Sequence, residues 1–151
     1  MNNNLIIFFY FNKKIEIEYQ ILRFNISNLM KLFSNIEIRI YSINIDLLEP
    51  LSKEYQLKLL EIDENEIKNI NEIQLIILKE IKEENKNIIY LDHRTTLINS
   101  SEICKFIDNN YNIYCDVDKK IIIYPKNLDD LIDNYLPIEK SIIKNMIIYI
   151  D

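Results

Sequence analysis

Residues 87–102 read NIIYLDHRTTLINSSE. Four apolar residues, Ile88, Ile89, Tyr90 and Leu91, run straight into Asp92. His93, Arg94, two threonines and a second short apolar patch, Leu97-Ile98, follow. An apolar run of this length bounded by polar residues suits a strand buried on both faces of a sheet. A carboxylate where such a strand ends stands where open α/β sheets place ligand-binding groups.

Upstream of that strand the chain alternates. Residues 5–11 (LIIFFYF) predict a first buried strand. From Lys13 the period changes: Ile15, Tyr19, Leu22, Ile26, Leu29 and Phe33 recur at three- and four-residue steps, which predicts an amphipathic helix. Asn35 is placed to close it in the left-handed conformation usually given to glycine. Residues 36–42 (IEIRIYS) alternate strictly and predict a strand with one wetter face. Residues 46–54 predict a short helix with Pro50 near its first turn or interrupting it, and residues 56–62 (QLKLLEI) a third strand. Asp63 and Glu66 have the spacing of a capping box. Ile70, Ile73, Ile77 and Ile81 carry the apolar face of the helix they open. Strands alternating with helices predict a mostly parallel, twisted α/β sheet with helices on both faces, joined by right-handed crossovers.

Downstream the pattern changes. Asn99 with Glu102 is a second capping box, opening a short helix to about Ile107. Residues 108–110 read as a turn. Residues 111–115 and 120–124 predict two short strands around Asp116-Val117-Asp118-Lys119, a small antiparallel hairpin in the C-terminal third. Asn127 is placed to cap a helix through Tyr135, Pro137 suits the first position of another, and residues 146–150 (MIIYI) predict a last strand. No linker or repeat divides the chain, so one domain over 1–151 is expected.

Composition narrows the function. A net charge of −6 argues against nucleic acid or an anionic membrane as the main partner. There is no glycine, alanine or tryptophan, and Val117 is the only valine, a bias that points to AT-rich coding. The lack of glycine excludes phosphate-cradling glycine loops and forces Asn or Asp into turns that need positive φ. Cys104 and Cys115 do not make a disulfide scaffold, and no run is apolar enough to span a membrane. A cytoplasmic, reduced protein is expected.

Several residues can carry chemistry. Asp92 can hold Mn²⁺ or Mg²⁺, which would neutralise a diphosphate. It can equally cap its own turn or pair with Arg94. Arg94 can contact phosphate directly as a bidentate cation. His93, the only histidine, is a candidate acid or base with no partner identifiable in the sequence. Asp116 and Asp118 form the chain's one Asp-x-Asp, at a spacing equally suited to a hairpin turn. Tyr10, Phe11 and Asn12 end the first strand at the same sheet edge, where an aromatic can stack on a nucleobase or pack on the following helix.

The segment NIIYLDHRTTLINSSEI resembles the region around the metal-binding Asp-x-Asp of GT-A nucleotide-sugar glycosyltransferases. That family pattern is an apolar strand, Leu-Asp-x-Asp-Thr, two or three apolar residues and a polar turn before a helix. Residues 88–91, Asp92, Thr95 or Thr96, and Leu97-Ile98 match it, and the preceding elements follow the family's order. Residues 136–151 (LPIEKSIIKNMIIYID) are similar to the family's later Phe-Asn-x-Gly segment. Two departures stand out. The second Asp falls on Arg94, and the Phe-Asn-x-Gly core falls on Ile143, Lys144, Asn145 and Met146. The chain also stops where such enzymes continue into the acceptor site.

The resemblance implies a Rossmann-like GT-A arrangement with a degenerate metal pair. It implies a nucleotide-sugar ligand at Tyr10, Phe11, Asn12, Asp92 and Arg94, with Mn²⁺ or Mg²⁺ if the protein is active. The expected function is sugar transfer to an acceptor. The alternative is a non-catalytic binding or assembly protein that keeps the fold, its C-terminal edge covered by a partner or second copy. A flavodoxin-like signalling domain also fits the alternation, but Phe11-Asn12-Lys13 stands where its acidic cluster is expected.

Overall fold

Isoleucine dominates the strands because β-branched side chains suit a pleated, buried surface. The computed structural model describes residues 5–34, 36–65, 73, 75–77, 79, 83–107, 112–126 and 135–151. The expected closure at Asn35, the cap at Glu66, the apolar positions Ile70 and Ile81, the turn at 108–110 and the cap at Asn127 lie outside them. Strand β1 (Leu5–Tyr10) is an inner strand of the main sheet. It pairs in parallel with β2 (Glu37–Ser42) on one side and β4 (Asn87–Leu91) on the other. Between them come helix α1 (Glu16–Leu32), a 3₁₀ turn (Ile45–Leu48), α2 (Glu49–Tyr55) and β3 (Lys58–Glu61), which pairs in parallel with β2.

Beyond β4 follow β5 (Thr95–Leu97), α3 (Ser100–Ile107), β6 (Ile113–Cys115), β7 (Ile121–Tyr124), β8 (Tyr135–Pro137), α4 (Lys140–Met146) and β9 (Ile147–Tyr149). The main sheet has seven strands in the order β3-β2-β1-β4-β7-β6-β8. The expected hairpin is β6–β7. It is not separate, because β7 pairs antiparallel with β4 and so extends the main sheet. A second sheet pairs β5 antiparallel with β9.

Strand alternation divides the core in two. Ile7, Phe9, Ile38, Ile40, Ile89, Leu91, Ile121 and Ile123 face α1, α2 and α3. Ile6, Phe8, Ile88, Tyr90 and Ile122 face the opposite way, toward Ile73 and Ile77. These two are helical residues on the predicted apolar face. Helices thus cover both faces, as the alternation requires.

Local rules account for the element ends. Asn44 Oδ1 accepts the Asp46 amide at 3.1 Å and opens the 3₁₀ turn. Pro50 lies in the first turn of α2, where no intrahelical donor is lost. Gln56 ends α2 with φ 56° and ψ 51°, a left-handed residue in a chain that has no glycine to offer. Asn99 Oδ1 caps α3 by accepting the Ser101 amide at 3.1 Å.

Four expectations are corrected. Strand β2 has no wet face, because β3 covers its outer edge and helices cover both sides. Arg39 is buried there, paired with Glu37 and with Glu84 at 3.1 Å, its guanidinium 5.8 Å from the Phe8 ring centre. Tyr135 does not end a helix, and Pro137 does not start one. Both lie in β8, an edge strand that tolerates a residue without an N–H. Met146 belongs to α4, and β9 begins one residue later. Its apolar residues are largely covered: Met146 and Ile147 are buried, while Ile148 is 55% exposed. No helix among the described residues is long and apolar enough to cross a membrane.

Candidate functional site

The strand order reverses at β1. Its neighbours β2 and β4 leave it in opposite directions along the sheet, so the crevice beyond the carboxyl ends of β1 and β4 is a topological switch point. Asp92 stands at that edge. Its amide donates to the Lys120 carbonyl at 2.9 Å, holding it beside β7. Its carbonyl accepts the Thr95 amide at 2.9 Å and its Oδ1 accepts the Arg94 amide at 2.9 Å. Asp92 therefore caps the turn that sends the chain back into β5. No described residue donates a hydrogen bond to its Oδ2, and its side chain is 34% accessible.

On one flank of Asp92 lie tyrosines and a lysine. Burial, and then the Asp92 charge, raise the pKa of the Tyr90 and Tyr149 hydroxyls. The Lys120 ammonium sits 4.1 Å from the Tyr149 ring centre, a cation–π contact, and 3.8 Å from Asp118. On the other flank is an ion cluster that ties the turn to α1. Glu18, in the first turn of α1, receives His93 Nε2 and Arg94 Nη2 in close contacts, and Arg94 Nε at 3.0 Å. Hydrogen bonds from Arg94 and then His93 hold the Glu18 carboxyl down at about 2. Arg94 Nη1 donates to the Ile150 carbonyl at 3.0 Å. Asn25, buried on α1, donates from Nδ2 to the His93 carbonyl at 2.6 Å and accepts the Thr96 hydroxyl.

The expected residues are therefore distributed as follows. Asp92 and Arg94 sit together at the edge, but the Arg94 guanidinium turns to Glu18 and not to Asp92. Alternation sends Tyr10 and Phe11 to opposite faces. Tyr10 is half-buried against the second core, and its hydroxyl pKa is raised by burial and by Glu64. Phe11 is buried on the α1 side, edge-on to His93 with 5.2 Å between ring centres. It forms floor, not an exposed stacking face. Asn12, Lys13 and Lys14 are exposed in the following loop. Asp116 and Asp118 shape the β6–β7 turn. Asp116 is buried and accepts the Ile121 amide at 3.0 Å, while Asp118 is exposed. Glu18 and Asn25 gave no signal in the sequence, because their partners lie 68 to 76 residues away.

Two hollows adjoin the edge. One, of about 300 Å³, is lined by Phe11, Lys13, Lys14, Tyr19, Leu47 and Pro50, over the end of β1. The other, of about 560 Å³, is walled by Lys120, Ile138, Ile143, Ile147 and Tyr149 among others. It shares Lys120 and Tyr149 with the surroundings of Asp92. The donor set does not fit a resident Mn²⁺ or Mg²⁺ ion. Asp92 offers one unengaged carboxylate oxygen, and both Glu18 oxygens are taken. No three His, Cys, Asp or Glu residues converge among the described residues.

No protein-family model and no curated protein matches the sequence. Solved structures do match in fold. One is a protein assigned as a nucleotide-diphospho-sugar transferase from Desulfovibrio desulfuricans G20, with a TM-score of 0.58 and 9% identity, covering 85% of this chain and 66% of that one. The glycosyltransferase GlyE of Streptococcus pneumoniae TIGR4 aligns with a TM-score of 0.55 and 12% identity over 83% of this chain and 35% of its own. The inositol-1-phosphate CTP transferase of T. maritima aligns with a TM-score of 0.50 and 9% identity over 95% of this chain and 83% of its own. The chain thus has the fold of nucleotide-diphospho-sugar transferases and spans about two thirds of the first of these structures and a third of the second.

Proposed function

We propose that the protein binds a nucleotide-diphosphate sugar beyond the carboxyl ends of β1 and β4 and transfers the sugar to an acceptor. The observation that carries this reading is the placement of Asp92 at the switch point of a sheet shared with nucleotide-sugar transferases. In it the nucleoside lies beyond the end of β1 beside Asn12, over the hollow floored by Phe11 and edged by Lys13 and Lys14. Asp92 Oδ2 is the acceptor for a sugar or ribose hydroxyl. The larger hollow beyond Lys120 and Tyr149 is the place for the acceptor. The diphosphate charge is met by protein cations at this edge and not by a preformed metal site.

Calorimetric titration with UDP, CDP, GDP and CTP, with and without Mn²⁺, tests the reading. One diphosphate is expected to bind, with an affinity that chelation leaves within about threefold, under 1 kcal/mol. Silence across the panel refutes it. CTP belongs in the panel because the T. maritima CTP transferase aligns over more of both chains than the sugar transferases do. A second reading, nucleotide-sugar binding without transfer, is favoured by Arg94 standing in the metal pair and locked to Glu18. Binding with no sugar release in a turnover assay would select it.

A further inference from the structure

The Glu18 cluster is built unlike an ordinary surface ion pair. Three ionisable side chains meet at the switch point, and their side chains are 13% (Glu18), 10% (His93) and 20% (Arg94) accessible. Arg94 is the outermost of the three. It is also the guanidinium nearest in sequence to Asp92, and its Nη1 donates to the Ile150 carbonyl at 3.0 Å. Glu18 has a second donor, His93 Nε2, which shares its Oε2 with Arg94 Nε. If Arg94 swings its fork to another anion, Glu18 keeps a hydrogen-bond partner and is not left as a buried unpaired charge. The exchange is between two charge-assisted pairs of the same kind, carboxylate–guanidinium and phosphate–guanidinium.

We propose that Glu18 sets the affinity of this edge for a diphosphate, by occupying the Arg94 fork that the phosphates would otherwise take. This rests on the nucleotide-sugar reading of the same edge. A ligand must displace Glu18 from Arg94, so the wild-type protein holds diphosphates weakly. Loss of the Glu18 charge frees the fork and removes a repelling carboxylate.

The test titrates inorganic pyrophosphate and UDP into the wild-type protein, Glu18→Gln, and the double variant Glu18→Gln/Arg94→Gln. Glu18→Gln is expected to bind both about tenfold more tightly than wild type, the worth of one charge-assisted bond, and the double variant to lose that gain. The chain has three arginines, Arg23, Arg39 and Arg94, so the Arg94 Nε–H resonance can be assigned with Arg94→Lys. It is expected to move when pyrophosphate is added to wild type, and this readout decides alone if the Glu18 variant does not fold. Wild-type UDP binding with no gain in Glu18→Gln and an unmoved Nε–H overturns the proposal and leaves the nucleotide reading standing. No binding to any of the proteins overturns both.

Discussion

Asn25 shows how much of the strand end hangs on single side chains. It is buried, and its amide serves the His93 carbonyl and the Thr96 hydroxyl at once. Asn25→Leu keeps the volume but takes this partner from the buried His93 carbonyl and from the part-buried Thr96 hydroxyl. It is expected to cost about 2–3 kcal/mol in urea denaturation. Glu18 makes a pH prediction. Its carboxyl titrates at about 2 in the folded protein and in the ordinary range when unfolded. A depressed carboxylate stabilises the fold above its unfolded pKa, and that contribution disappears as pH falls toward 2. The gap in urea midpoint between wild type and Glu18→Gln should therefore be widest at neutral pH and should shrink steadily between pH about 4.5 and 2. A gap independent of pH would show that Glu18 acts through packing.

At the scale of elements, β1 and β4 were legible as unbroken apolar runs because both their faces are buried, and α1 by its 3.6-residue period because one face is. β5 was not legible. Three residues, Thr95–Leu97, carry too short a pattern, and only pairing with β9 makes them a strand. β8 was missed for the same reason, with Pro137 pointing to a helix start that the sheet edge overrode. Burial predicts the cost of change within elements. Phe9→Ala, at a fully buried position of β1, should destabilise by about 3–5 kcal/mol, whereas Ile148→Ser on the exposed face of β9 should stay within about 0.5 kcal/mol. Gln56 holds a left-handed conformation that costs a side chain with Cβ about 1 kcal/mol. Gln56→Gly is expected to raise the thermal midpoint, and a lowered midpoint would show that the Gln56 side chain contributes more than its backbone costs.

At the scale of the molecule, stability should follow the sheet order. β1 lies between β2 and β4 with side chains buried on both faces, while β3 and β8 are edges. Amide exchange is expected to be slowest in β1 and β4 and fastest at the two edges. Equal protection across the sheet would mean that the strands open together.

What the sequence determined by itself was the class of fold and the position of one acid. Long apolar runs alternating with amphipathic helices leave few solutions other than a parallel sheet covered on both faces, and Asp92 directly follows one of its buried strands. The partners of that acid's neighbours were decided only in three dimensions. Arg94 could have faced Asp92, a phosphate or solvent. It faces Glu18, because α1 packs on β5 and the turn before it and brings a first-turn carboxylate beside a residue 76 positions away. A local pattern encodes which face of an element is buried. It does not encode which charged side chain will meet it from a distant element, and that meeting sets the charge of the site.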